Sequence, residues 1–539
     1  LHKIDTMLKK QAFLFSVLLL VIVVGCARRG TITGGAKDSI PPIMLSSLPK
    51  NYSTNFTGNE IILNFDEYVK TKNLDKQLII TPLLKYRPEI LPYYASKTLK
   101  IRIKDTLQPN TTYSFNFGSS IEDNNENNAM KQFKYVFSTG NEIDSLKLKV
   151  KIKDALETKQ LQYVSIMLYD MDADFNDSTI FKKTPRYVAS SLDSLTTVNL
   201  ENIKAGKYKL IALKDENNNN KFDPKKDKIG FRSEPVTLPN ENTYTLDLFK
   251  EELAFKALNL SQVAGAQFAL AYQGNPENTK VEVTRQGTKI PSVVTKIQTK
   301  DSLQVWVRAS KGDSLQFQIS NGKFSKKYNQ KLKDFKRDTL NIKSEGGNLK
   351  PNAHFILNSA TPLVKTDKSK IKILRKDSTA VAFSTQYDDW KQQLALVFDK
   401  DEKQSYVIHL EADALTDFYD KTNKALKYTV TTGAFSDYGN LRVTLENAKR
   451  FPVIVELTSK DGKVLETAYN DGSKIVTFEN IQPNKYTMRL IYDDNKNRRW
   501  DPGNYLENRQ SEEVIYFPKE LDVRGNWDVE QPFDLKISN

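Results

Sequence analysis

Residues 201–236 align without a gap onto residues 479–514, offset by 278 positions, and 13 of the 36 aligned pairs are identical. Chance matching at ordinary protein composition would give about 2 or 3. The identities include Lys207-Tyr208 with Lys485-Tyr486 and Asp215, Asn217, Asn219 and Asp223-Pro224 with Asp493, Asn495, Asn497 and Asp501-Pro502. A second block precedes each copy. The FKYVFSTG of residues 133–140 recurs as the LKYTVTTG of residues 426–433, offset by 293, and Tyr113 corresponds to Tyr406 at that second offset. The chain is therefore a modular array containing a duplicated two-domain unit. Arrays of this kind position, span and bind far more often than they catalyse.

The hydrophobic pattern between these blocks has period two. Leu-Lys-Leu-Lys-Val-Lys-Ile-Lys at 146–153 alternates strictly, as do the segments at 99–103, 303–308, 315–319 and 441–445. Apolar residues alternating with Lys, Arg and Gln describe strands with one buried face. Asp461-Gly462 between two such runs predicts a tight hairpin. Only weak helical candidates appear, near 73–78 and 388–394. Short strands separated by turn signals predict an all-β fold of tandem sandwiches, each burying its own core and touching mainly its neighbours in the chain.

The first thirty residues carry the signal for location. Met7, which we read as the true start, is followed by Lys9, Lys10, an apolar run from Ala12 to Val24 broken only by Ser16, and then Gly25-Cys26. A charged segment before an apolar one too short for a comfortable span reads as a secretory signal, here residues 1–25. Val23-Val24-Gly25-Cys26 resembles a bacterial lipobox, with Val where Leu is usual at the first position. That resemblance implies diacylation of Cys26, cleavage before it and a further acylation of its amine. Cys26 is the only cysteine of the 539 residues, which excludes intrachain disulfides and thiolate zinc sites. Residues 26–38, rich in Gly and Thr, read as a flexible tether. Ala27 in place of Asp favours the outer membrane by analogy. The absence of an acidic cluster in Ala27-Arg28-Arg29-Gly30 favours its periplasmic face over the cell surface.

Residues 39–140 form the first module. IPP at 40–42, IILNFDEYV at 61–69, LQPNTTYSF at 107–115, IEDNNEN at 121–127 and the closing FSTG resemble the SbsA-type bacterial Ig-like domain of envelope lipoproteins. On that resemblance Phe65-Asp66-Glu67 ends a strand, Tyr113 packs in the core, and the Asn-rich acidic loop precedes the last strand. Residues 346–433 resemble a diverged second copy, retaining Tyr406 and Leu415-Thr-Asp417 but not the FDE. Residues 141–250 and 434–539 are the other duplicated type. VTFENIQPNKYTMRLIYDD at 476–494 resembles a prealbumin-like sandwich of the CnaB or carboxypeptidase-regulatory class. Residues 251–345 show only alternating strands and make an unassigned sandwich. Together these resemblances imply a Bacteroidota outer-membrane lipoprotein.

Asp215, Asn217, Asn219, Lys221 and Asp223 occupy positions one, three, five, seven and nine of an EF-hand-like loop, where oxygens converge on calcium. Asp493, Asn495, Asn497, Arg499 and Asp501 repeat it. Asn220 and Arg498 stand where the loop expects Gly, and Lys226 and Asn504 where it expects Glu. Glu234 and Glu512 are candidates for a missing carboxylate. The competing expectation is a hairpin tip held by Asx turns. Calcium is the one cofactor the sequence suggests, and none is required.

The triplet Asp-(Ser/Thr)-apolar or Thr resembles the O-glycosylation site of Bacteroidota envelope proteins. It places hydroxyls at Ser39, Thr106, Ser145, Ser178, Ser194, Ser302, Ser314, Thr339 and Ser378, against about 1 or 2 occurrences from composition. Asp-Ser and Asp-Thr also open turns before strands. No catalytic constellation stands out. The histidines are His2, His354 and His409, none with a partner four residues on, and no GxSxG, P-loop or GxGxxG occurs. The net charge of +14 is spread over all modules and reads as solvated strand faces. Tyr93-Tyr94, Trp390, Trp500 and Trp527 could stack on sugars or proteins, although Trp500 aligns with Phe222 and reads as core.

The resulting expectation is a non-catalytic envelope lipoprotein, a spacer or interaction subunit of an outer-membrane assembly or secretion complex. Its partners would be the bilayer, through acylated Cys26, and an envelope protein, with no nucleic acid and no small-molecule substrate. The alternative is a carbohydrate- or glycan-binding accessory lipoprotein.

Overall fold

The computed structural model describes residues 37–192, 196–334, 336, 339–345 and 347–536. The signal-peptide segment, Cys26, most of the tether and Ser194 lie outside them. The described chain is all-β, a tandem array of β-sandwiches. Among the described residues the α-helices are two four-residue turns, Leu74–Gln77 and Thr179–Lys182. Two compact units divide the chain. One comprises residues up to Leu78 with Tyr86–Leu107 and Phe115–Phe137, and the other Ile79–Lys85, Gln108–Ser114 and everything from Ser138 onward.

In the first unit the strands Met44–Leu48, Glu60–Thr71, Ser96–Arg102 and Glu89–Leu91 hydrogen-bond in that order. Alternation works as written, with Ile61, Leu63, Phe65, Leu99 and Ile101 buried. Phe137 stacks between Phe56 and Phe115, with ring centroids 4.3 and 5.9 Å away. The expectation that Phe65-Asp66-Glu67 ends a strand is corrected. The strand runs on to Thr71, and its register breaks between Asn64 and Val69. Beyond that break it pairs with Ile121–Asp123, so the FDE marks a change of partner. Asp66 fastens the edge there, accepting from the Ile43 amide at 2.8 Å.

The Asn-rich loop is organised by Asp123, which is fully buried. Its Oδ1 accepts from the amides of Asn125, Glu126 and Asn127, and its Oδ2 from that of Asn128. Burial pushes this carboxyl up, but the four backbone donors outweigh it and hold the pKa below the ordinary value. A depressed folded pKa contributes stability above the unfolded value of about 3.9, and that stability is lost as pH falls through the folded one. Asp123→Asn turns an amide NH2 toward the Asn128 donor. It should cost about 1–3 kcal/mol at pH 7, with a smaller cost in urea melts near pH 3.

In the second unit, hydrophobic cores form within residues 146–248, 255–332, 340–430 and 441–535. The two duplicated sandwiches share one topology. In the first copy, Tyr187–Ser190, Ser165–Asp170, Gly206–Lys214 and Lys228–Phe231 make one sheet, facing Thr197–Ile203, Leu146–Asp154 and Thr243–Leu248, the last pair parallel. In the second, Val464–Asn470, Val453–Thr458, Asn484–Tyr492 and Val514–Tyr516 face Ile475–Ile481, Gly439–Glu446 and Asp528–Asp534, again with a parallel last pair. The repeated Lys-Tyr is explained by its hydroxyl. Tyr208 donates to the Lys204 carbonyl at 2.9 Å and Tyr486 to that of Gln482 at 2.5 Å, pinning the turn that enters the central strand.

Residues 251–345 fold as two four-stranded sheets around Phe268, Phe317 and Val305. In residues 346–433 the strand that would correspond to the FDE strand is interrupted, ending at Ser359 and resuming at Leu363 after Pro362. Proline lacks the amide needed to continue a ladder. The retained Asp417 is buried and accepts from the Tyr419 and Lys421 amides, the role Asp123 plays in the first module. The helical candidate at 388–394 is a β-hairpin, Phe383–Asp388 against Gln393–Phe398, turned through Gln392 at a φ of 56°. Asp461-Gly462 forms the expected turn, with Gly462 at a φ of 86°.

The expectation that sandwiches touch mainly their chain neighbours does not hold in this unit. Tyr505 of the last sandwich is buried in the face of the 146–248 sandwich, its ring 5.2 Å from Phe231 and 6.2 Å from Phe181. Arg489 Nη1 donates to the Leu156 carbonyl at 3.0 Å, and the Tyr516 hydroxyl donates to the same oxygen. Tyr505 N–H donates to Glu251 at 2.5 Å and Gln510 Nε2 to the Phe231 carbonyl at 3.1 Å. Residues 434–539 thus fold back onto their own duplicate across two intervening sandwiches.

Candidate functional site in the repeated loops

Each Asp/Asn loop leaves the central strand of its duplicated sandwich, and the two share a backbone. Asn218 and Asn220 have φ of 53° and 55°, and their counterparts Lys496 and Arg498 have 63° and 65°. Left-handed backbone at the sixth position is what the EF-hand obtains from Gly, and Asn tolerates it better than Arg. Asp215 Oδ1 accepts from the Asn217 amide at 3.1 Å and Oδ2 from that of Asn220 at 2.6 Å. Asp493 accepts from the Asn497 and Arg498 amides at 3.0 and 2.8 Å. In both loops the first Asp organises the turn.

A second carboxylate completes each loop, and it comes from a different place in each copy. In the later loop Glu512 accepts from the Asp494 and Asp501 amides at 2.8 and 2.9 Å. In the earlier loop the aligned residues Glu216 and Asp223 donate to Asp227, at 3.0 and 2.8 Å. Glu234, which aligns with Glu512, is exposed. Asp227 aligns with Tyr505. Only the structure reveals this exchange, because equivalent amides are met by residues at unrelated alignment positions. Burial and then neighbouring Asp215 and Asp223 push the Asp227 carboxyl up; burial and then Asp501 and Asp493 do the same to Glu512. Three carboxylates therefore repel one another at each loop.

The remaining loop residues take part in local hydrogen bonds. Asn219 and Asp223 accept from the Lys221 and Lys225 amides at 2.9 and 3.0 Å, and Lys226 Nζ donates to Asn217 at 2.9 Å. Asn495 and Asn497 donate to Asp501 through their Nδ2 groups. The Arg499 guanidinium reaches Asp501 at 3.3 Å and Glu252 at 3.4 Å. Among the described residues no three His, Cys, Asp or Glu side chains converge closely enough to hold a metal ion. The arrangement seen is that of hairpin tips braced by side-chain acceptors.

Ser39, Thr106, Ser145, Ser314, Thr339 and Ser378 are exposed, whereas Ser178 and Ser302 are half-buried. The Ser178 hydroxyl donates to Asn176 at 2.6 Å. Asp105 and Asp377 accept from the backbone amides that follow them, as turn-opening residues do, and Asp313 from the Ser310 amide before it. Tyr93, Tyr94 and Trp527 are exposed. Trp390 packs against the 255–332 core, and Trp500 against the face that receives Tyr505. His409 is a half-buried strand residue. A cleft of about 460 Å³ opens beside the seam between the duplicated sandwiches, lined by Ile152, Leu161, Ile515 and Leu535. Two of its acids are already engaged, Asp154 with Lys228 and Glu513 with Lys449, each at 2.5 Å.

Residues 38–139 match the model of a family described as a bacterial Ig-like domain, and residues 151–255 that of an "Uncharacterized protein conserved in bacteria (DUF2141)". No curated protein matches the chain. Similar solved structures include the major pilin subunit BcpA of Bacillus cereus, at 10% identity and a TM-score of 0.14 over 72% of this chain and 99% of that one. The surface layer protein SbsC, domains 1–6, is 10% identical at a TM-score of 0.16 over 90% of this chain and 67% of that one. The SGBP-B of a Bacteroides ovatus mixed-linkage glucan utilization locus, solved with a heptasaccharide, is 12% identical at 0.20 over 70% and 91%. These superpositions are too loose for any function to be read across.

Proposed function

We propose that the chain is a non-catalytic envelope lipoprotein, tethered by acylated Cys26 to the periplasmic face of an outer membrane, that works as a spacer or interaction subunit of a membrane assembly or secretion complex. The observation that carries this reading is the seam between the duplicated sandwiches. The repeated polar residues brace turns, and Arg489, Tyr505, Gln510 and Tyr516, which have no counterpart in the first copy, fasten the last sandwich to it, which is architectural work. Cys26→Ser should move the protein from the membrane pellet to the soluble fraction, since several acyl chains anchor far more firmly than one. Persistence of the variant in outer membranes after a high-salt wash would sink the tether. An affinity pull-down of the lipidated protein separates the spacer from the glycan-binding alternative: membrane-complex subunits support the first, glycans alone the second.

Calcium at the repeated loops belongs to the same proposal, supported by the left-handed sixth position and the repeated Asp and Asn spacing. Binding would displace the backbone donors now held by Asp215 and Asp493. With the few carboxylates available, affinity falls in the extracellular range of about 10⁻⁴ to 10⁻³ M. At 10 mM calcium mass action would then add about 1.4–2.7 kcal/mol per site. A calcium-dependent rise in Tm that shrinks in Asp215→Ala/Asp223→Ala and vanishes when Asp493→Ala/Asp501→Ala is added is the expected result. An unchanged wild-type Tm leaves only the braced hairpin.

A further inference from the structure

The exposed large hydrophobic residues are unevenly distributed. Of seventeen among the described residues, nine fall between Ile40 and Tyr94, all in the first compact unit. Leu45 and Leu48, both 67% exposed, stand on the edge strand Met44–Leu48. In register across that sheet, Leu48 lies opposite Ile62, Ile62 opposite Lys100, and Lys100 opposite Leu91. The alternate residues Ile61, Ile101 and Ile90 are buried, so this row belongs to the outer face. From Leu91 the chain passes through Pro92 into Tyr93 and Tyr94, exposed to 83% and 74%. Bare leucines on one edge strand of this face and bare tyrosines beside the opposite edge are a liability on a monomer unless something covers them.

We infer that this face seats in the headgroup region of the bilayer to which Cys26 is attached. The inference rests on the lipid-anchor reading. Ile40 and Ile43, also exposed, are the first apolar residues after the tether. Ile40 lies fourteen positions after Cys26, so the face lies within at most about 50 Å of the acyl chains. Tyrosine, apolar in its ring and polar at its tip, favours that zone. Lys100 lies within the row, and Glu60 on the same face stands 3.8 Å from its Nζ, so its charge is balanced and the apolar and tyrosine surface carries the contact. The anchor makes this second contact effectively intramolecular, so a surface too weak to hold the protein alone can still orient it.

Because Cys26 is the only cysteine and would be acylated, a thiol introduced elsewhere takes a nitroxide label specifically. The acylated mature protein is placed in vesicles of phosphatidylethanolamine and phosphatidylglycerol, carrying Leu48→Cys, Tyr93→Cys or, as control, Trp527→Cys. Relaxation by membrane-dissolved oxygen is compared with relaxation by an aqueous nickel chelate. The expected oxygen-to-nickel ratio is several-fold higher at positions 48 and 93 than at 527. Equal ratios on verified acylated protein would overturn the membrane face alone, as would labels at 48 and 93 shielded from both reagents, which points to a protein cover. Absence of acyl chains on Cys26 by mass spectrometry would overturn the anchor, and this face with it.

Discussion

Tyr505→Ala is expected to lower the stability of the second unit by about 3–5 kcal/mol, the range for removing a large aromatic from a packed interior. The residue is 3% exposed, although it sits in a loop of one sandwich and fills the face of another. Lys209 Nζ lies 5.6 Å over both its ring and that of Phe231, so the truncation also strips a buried cation of an aromatic neighbour. The hydroxyl behaves differently. Among the described residues it is buried with no hydrogen-bond partner. Tyr505→Phe removes a desolvated polar atom and should leave stability unchanged or raise it by about 1 kcal/mol. Urea unfolding of the three proteins decides the matter. An alanine variant within about 0.5 kcal/mol of wild type would mean that the ring is a surface residue and the seam carries little energy.

What could be read from the chain divides along a physical line. Period-two runs, the Asp461-Gly462 turn and the Lys-Tyr turns are local: alternation fixes which face is buried, and a tyrosine four residues past a carbonyl can reach it. The duplicated topology follows from the same local signals repeated in the same order. The exchange of Asp227 for Glu512 was hidden because a buried carboxylate reaches its amides through space and leaves no trace in alignment. At 388–394 the helical hint came from mixing the ends of two strands, and the turn at Gln392 decides it. The family resemblance places a strand end at Phe65-Asp66-Glu67, but the ladder only breaks there and the strand goes on to a new partner. The docking of the two copies was invisible for a different reason. The first copy's outer face carries Met167, Ile211, Phe231 and Phe249, which in sequence look like any other alternating strand residues. Only a partner surface distinguishes a second buried face from a badly exposed one.

Arg489→Ile should cost about 3–5 kcal/mol by itself, the usual penalty for stranding one member of a buried ion pair. The Arg489 and Glu456 side chains are 6% and 15% exposed, with Nε and Oε2 2.6 Å apart. Arg489 pairs in register with Glu456, as Ile211 pairs with Met167 in the first copy, and Arg489 aligns with Ile211 at the repeat offset. The duplication thus holds both solutions to one position: an apolar pair where the face receives Tyr505, and an ion pair where the face gives its hydrogen bond to Leu156. Replacing the whole ion pair by the apolar pair of the other copy removes both buried charges and strands neither. Glu456→Met/Arg489→Ile should therefore recover most of the loss. The Tyr516 hydroxyl still donates to the Leu156 carbonyl, so the seam keeps one of its two bonds at that oxygen. A double variant as unstable as the single one would show that Arg489 works through Leu156 rather than through Glu456. The seam between the copies, and not the interior of the last sandwich, would then be where its energy lies.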